Sequence, residues 1–207
     1  MEFSIHLALL LFAYSNCFSQ NIVASATKMN VFYAGIDNPF EYAVSTMYCK
    51  NYQLSSNNGA IRCNDSCHCF INPINVGTTI IYIKDKKGKL IDSSVFRTKS
   101  LPDPRFEIIY PIHCRSGFIV NFRDSVLLEM KDFDFDIKFI TKEFIITQKR
   151  NDTIIATYKN ISGKISEGVK KLYLSGKSGD IFYITNIIVV EPNGKERSIA
   201  GTAFKIQ

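Results

Sequence analysis

Tryptophan is absent from these 207 residues, and histidine occurs only at His6, His68 and His113. So few imidazoles, one of them in the first ten residues, argue against a histidine-dependent hydrolase, whose base must be held beside a nucleophile. The G-x-S-x-G, H-E-x-x-H and phosphate-loop patterns are missing as well. The sequence gives no support for an enzyme, and no cofactor is implied. Long hydrophobic runs are also lacking. The apolar stretch Ile5 to Tyr14 is too short to span a bilayer as a helix, and no later run reaches that length. The formal charge of +6 is dispersed, with local clusters at Lys84-Lys86-Lys87-Lys89 and Lys170-Lys171. Such clusters at turn tips read as solvated loops, and no stacking-aromatic motif of an RNA binder accompanies them. Nucleic acid is not an expected partner.

The first residues have a different use. A short apolar run followed by Cys17-Phe18-Ser19 reads as a signal peptide cut between Ser19 and Gln20, which makes residues 1–19 a leader to be removed. The expectation is an exported, periplasmic protein with no transmembrane segment in the mature chain. A lipid anchor on Cys17 and full secretion are the less favoured addresses.

Five cysteines remain after cleavage, and four of them, Cys49, Cys63, Cys67 and Cys69, lie close together. In an oxidising compartment they read as disulfide candidates, with three connectivities open. A tetrahedral zinc site is the competing reading, weakened because Cys67-His68-Cys69 lacks the usual C-x2-C knuckle. Cys114 beside His113 is a poor nucleophile–base pair, since neighbours on a strand point to opposite faces.

What the chain does have is short β-type segments separated by turns about every ten residues. Val31 to Ile36, Phe40 to Tyr48, Thr78 to Lys84 and Leu90 to Thr98 alternate with turn signals such as Asn57-Asn58-Gly59 and Lys87-Gly88. This is the signature of an all-β sandwich. Leu101-Pro102-Asp103-Pro104 interrupts it and marks a boundary, because two prolines one residue apart do not fit a central strand. Residues 20–28 are expected as a leader, 29–100 as the first domain, 101–104 as a linker and 105–207 as a second β module. Ser166 to Leu172 is the one plausible helix, with Ser166 as its cap. Ile181 to Val190 and Ser198 to Ile206 are the last expected strands. In Lys131 to Thr147, Phe133, Phe135, Ile137 and Phe139 alternate with Asp134, Asp136 and Lys138. A period of two predicts a long half-buried strand, with the four apolar residues as the core strand of the second module and the aspartates on its solvent face.

Several segments carry a resemblance at consistent spacing. Asn30-Val-Phe-Tyr-Ala-Gly-Ile-Asp-Asn-Pro39 resembles the N-V-x-Y-x-G-x-D-N-P opening of the third periplasmic domain of GldM (PorM in non-gliding relatives), the motor-stalk family of gliding motility and type IX secretion in Bacteroidota. Leu101 to Pro104 is similar to the family's I-P-D-P linker, and Asp132 to Phe139 to its N-F-D-F-D-L-x-F segment. The tail from Ile165 to Ile206 matches in order: a short helix ending in lysines, Gly179-Asp180, a strand, Pro192-Asn-Gly-Lys195 and a terminal Phe-Lys-Ile. The motif positions are Gly35, Asp37, Asn38, Pro39, Pro102, Asp103 and Pro104. The resemblance implies two tandem β-sandwich domains, the first immunoglobulin-like and the second a sandwich with one short helix. It implies a non-enzymatic protein-interaction role in the envelope, with GldK/GldN-type ring proteins as partners and a homodimer as one assembly. A signal peptide stands where the stalk protein has its membrane helix and two further domains, so a stand-alone form without a motor role is expected. A secreted or surface ligand-binding β-sandwich unrelated to secretion is the alternative. Genes for secretion or for glycan uptake nearby would separate the two.

Overall fold

A computed structural model describes residues 22–26, 30–44, 51–64, 68–114 and 117–206. The chain divides into two compact units, meeting between Ser100 and Leu101.

Among the described residues unit 1 has eight strands: β1 (Ile22–Ala26), β2 (Val31–Tyr33), β3 (Asn38–Val44), β4 (Tyr52–Ser56), β5 (Ala60–Cys63), β6 (His68–Asn72), β7 (Gly77–Asp85) and β8 (Leu90–Lys99). They form two four-stranded sheets in the orders β1-β3-β6-β5 and β2-β8-β7-β4. Among the described residues only β2 with β8 is parallel; the other pairs are antiparallel. Read as A, A′, B, C, D, E, F and G, this is the ABED and CFG arrangement of an immunoglobulin-type sandwich, with the first strand split between the sheets. The expected leader therefore contains a strand: β1 lies along β3 from Ile22↔Val44 to Ala26↔Phe40. Its alternation was too short to register as a strand in the sequence alone.

With no tryptophan available, the centre of this sandwich is filled by phenylalanine. Phe32 stacks on Phe96 at 4.5 Å and meets Phe40 edge-on at 6.0 Å, among Ile71, Ile81 and Ile83, all buried. The turn at Asn57-Asn58-Gly59 is a structural corner. Asn58 is buried and satisfied on both sides of its amide, donating to Asn75 O and Thr79 Oγ1 (2.8 Å each) and accepting from the N–H groups of Ile74 and Asn75. Gly59 has φ +103°, and a Cβ there would lie 2.0 Å from Asn72 O. No other residue fits.

Unit 2 begins with β9 (Arg105–Cys114) and β10 (Gly117–Glu129), an antiparallel pair. β11 (Ile140–Arg150), β12 (Thr153–Ile161), helix α1 (Glu167–Leu174), β13 (Ile181–Val190), β14 (Glu196–Ile199) and β15 (Thr202–Lys205) follow. The larger sheet runs β12-β11-β13-β14, with β15 on the same edge of β13 as a separate short strand. The expected strand Ser198 to Ile206 is thus two strands. They part at Ala200-Gly201, where a Cβ on Gly201 would come within 2.6 Å of Ile184 O. Phe144, Ile146, Phe182, Ile184, Ile187 and Val189 form the buried face of β11 and β13, joined by Val169 and Leu172 of α1. The helix starts where expected: Ser166 Oγ accepts the N–H of Val169.

One central expectation needs correction. Phe133, Phe135, Ile137 and Phe139 do not form a core strand. Residues 131–139 lie outside every described ladder, and strand pairing starts at Ile140. The four side chains are half-buried and alternate with exposed neighbours, as read. The reason is topological. β10 and β11 belong to different sheets, so this stretch is the crossing between them, turned by Asp132 at φ +55°. An extended chain resting on a core keeps the period of two without a neighbouring strand. Phe139 packs on the core edge under the Arg197 guanidinium, 5.4 Å from its ring centre.

Candidate interaction surface

The residues picked out in the sequence separate into structural corners and exposed surface. Asn38 is buried and closes the β2–β3 turn: its Nδ2 donates to Tyr33 O (2.8 Å) and Ile36 O (2.9 Å), and its Oδ1 accepts Tyr33 N–H (2.7 Å). Gly35 takes φ +82° and donates to Pro73 O. Asp37 faces outward, paired with Arg62 and accepting from Asn72 Nδ2. Pro39 pairs with Phe70 across β3 and β6. These motif residues build a turn.

Cys63 and Cys69 stand directly opposite one another on β5 and β6, with Cα atoms 4.0 Å apart, and are joined as a disulfide. Bonded to each other, these two thiols are not available as zinc ligands. The bridge lies within one sheet, unlike the inter-sheet bridge of antibody domains, and fits an oxidising compartment. Cys49 and Cys67 lie outside the described residues, as do Cys17, the signal segment and the side chains of His113 and Cys114.

The expected linker belongs to unit 2. Leu101 and Pro104 are buried. Arg197 of β14 donates to Leu101 O (2.8 Å) and Pro102 O (3.1 Å) and pairs with Asp103 and Glu191. One guanidinium therefore holds Leu101, Pro102 and Asp103 against this unit.

A second network is centred on Asp180, whose carboxylate is wholly buried. Arg150 reaches both its oxygens (2.7 Å each), Gln148 Nε2 donates at 2.6 Å and the Lys177 N–H at 2.9 Å. The Arg150 hydrogen bonds, helped by those from Lys177 and Gln148, hold the carboxyl below its ordinary range against the opposing effect of burial. Arg150 is raised in turn. Four hydrogen bonds converge on the carboxylate, and the pair ties β11 to the turn before β13. The arrangement is a brace rather than a reaction centre. Sequence reading noted Gly179-Asp180 and missed its partners, thirty residues away.

The surface with the character of an interface is the outer side of β12. Its one described ladder partner is β11. Its sequence, TIIATYKNI, carries a single charge, Lys159. Ile154 and Ile155 are consecutive, at the bulge where the pairing with β11 shifts, and are 60% and 46% exposed; Tyr158 is 44% and Ile161 74% exposed. A long apolar edge with little charge invites another chain. The sequence pattern showed the strand. Its place at the edge is a property of the assembled sheet.

The GldM third domain family matches residues 21–99, and the GldM C-terminal domain family matches residues 120–207. No curated protein matches the chain. Two solved structures are similar at low level. A chain described as a cytokine receptor complex shares 8% identity over 89% of this chain and 96% of its own, with a TM-score of 0.28. The three N-terminal domains of the bacteriophage RB49 highly immunogenic outer capsid protein (Hoc) share 9% over 88% and 67%, also at 0.28. At that similarity they carry no argument about this protein.

Proposed function

The chain belongs to the GldM family, through its third and C-terminal domains in tandem, and on that premise we propose that it is a non-enzymatic protein-interaction module of the periplasm. Its partner on this reading is the outer-membrane-associated ring of GldK/GldN-type proteins, which the family's terminal domains contact. The observation that carries the reading is the β12 edge: nine residues with one charge, among which Ile154, Ile155, Tyr158 and Ile161 are exposed. A partner chain landing there removes exposed isoleucines from water and satisfies edge backbone groups together. The Cys63–Cys69 disulfide favours an exported address, and among the described residues no helix is long and apolar enough to cross a membrane.

The test is a pull-down of the chain from Gln20 onward against the host's own ring proteins, with a titration of whatever is retained. Saturable binding that is lost in Ile155→Lys/Tyr158→Lys is the expected result. Absence of binding at about 50 µM overturns the ring assignment.

A further inference from the structure

Unit 2 has a second open place, on the other side of the larger sheet. A cleft of about 440 Å³ is lined by residues 104–108 on one wall and 200–204 on the other. Its volume is within the range of ligand pockets. Both walls are runs of consecutive residues. A cleft beneath the face of a strand is lined by every second residue, so consecutive lining means that β9 and β15 turn their edges toward it. Among the described residues β9 pairs with β10 alone and β15 with β13 alone, so each has an outer edge that no described strand occupies. Ala200, Gly201 and Ala203 are exposed and carry little or no side chain to close the gap.

We propose that this cleft receives an extended segment of a partner polypeptide, which enters as an added strand between β9 and β15. The proposal rests on the protein-interaction reading above and adds a second, distinct contact to it. The walls state the chemistry of the segment. Phe106 and Ile108 point into the core, while Arg105 and Glu107, paired at 2.9 Å, share the outer face. β10 already answers this pattern on the other side, placing Leu128 opposite Phe106 and Glu129 opposite Arg105. The added strand therefore carries an apolar residue over Phe106, flanked by an acidic residue beside Arg105 and a basic one beside Glu107. Main-chain bonds supply the affinity and these side chains the register.

The experiment titrates the ¹⁵N-labelled chain from Gln20 onward with two synthetic peptides, TVKVEVT for antiparallel and TVEVKVT for parallel entry. The expected result is saturable amide shifts confined to residues 104–108 and 200–204 for one of them. Binding weakens at least about tenfold in Ala203→Arg, which fills the slot from an exposed position. The same peptide N-methylated at the amides facing β9 and β15 binds no better than background, although its side chains are unchanged. No shifts at about 1 mM peptide, shifts on β12 instead, or undiminished binding of the N-methylated peptide each overturns the proposal. Failure of the ring pull-down with peptide shifts intact refutes the ring partner and leaves the cleft standing.

Discussion

In unit 1 the buried polar groups are amides and hydroxyls: Asn38, Asn58, Thr79 and Thr98, the last two sharing a hydroxyl contact of 2.6 Å. Unit 2 buries Thr141, Gln148 and Asn160 as well, and adds a carboxylate, Asp180, gripped by Arg150 and Gln148. Both sets of groups are hydrogen-bonded, although Gln148 Oε1 in unit 2 is buried without a partner, and they respond to different stresses. Neutral amides do not titrate, so the corner of unit 1 is indifferent to acid; what this unit adds is a covalent staple between β5 and β6. A buried ion pair holds its geometry only while both partners stay charged. The two sandwiches are thus braced by different chemistry, and each brace can be removed separately.

The largest separation should come from the cores. Phe144 is wholly buried and meets Phe106 edge-on at 5.3 Å, so Phe144→Ala is expected to cost about 3–5 kcal/mol. Hydrogen exchange should show the loss in β11 and β13 while β7 and β8 keep their protection. Phe135→Ala, in the half-buried crossing, should cost distinctly less. Equal losses for the two variants would put residues 131–139 back in the core.

Acid comes next. A carboxyl held below its ordinary value contributes stability that is complete above the unfolded-state pKa of ~3.9 and drains away as the pH falls below it. Unit 2 protection should therefore decline between about pH 5 and about pH 2, and Asp180→Asn should be less stable at neutral pH with a flatter acid limb. Parallel acid limbs for wild type and variant would show that another group is responsible.

The smallest of the three effects belongs to the staple. A bridge between residues six apart in sequence constrains the unfolded chain by about 2 kcal/mol. Cys63→Ser/Cys69→Ala should lower the protection of β5 and β6 by that amount and leave β13 untouched. A loss shared by both units would break the contrast.

Local features were legible in the sequence because their causes are local. Ser166 caps its helix by reaching three residues ahead, and the strand Ile181 to Val190 shows its Ile and Val content directly. The motif Gly35 to Pro39 was legible as a turn for the same reason. The FDFDIKF reading failed at the next level. Alternation reports an extended chain with one wet face, whereas a strand also needs a neighbour. Asn186, at φ +50° in a bulge where the pairing of β11 with β13 shifts, keeps Ile184 and Ile187 both inward against the expected parity. None of the residues proposed to meet a partner stood out, because Ile155 and Tyr158 look like any half-buried strand residues until the sheet is assembled.

By itself the sequence determined the all-β class, the helix cap and the family, since each follows from propensity, periodicity and motif spacing along a few residues. Tertiary structure decided which strands lie at the edges, that Asp180 meets Arg150, that Cys63 bonds Cys69, and that β9 and β15 face each other across a cleft. Those are contacts between residues far apart or on different strands. They come into being only when the sheets close over their shared core.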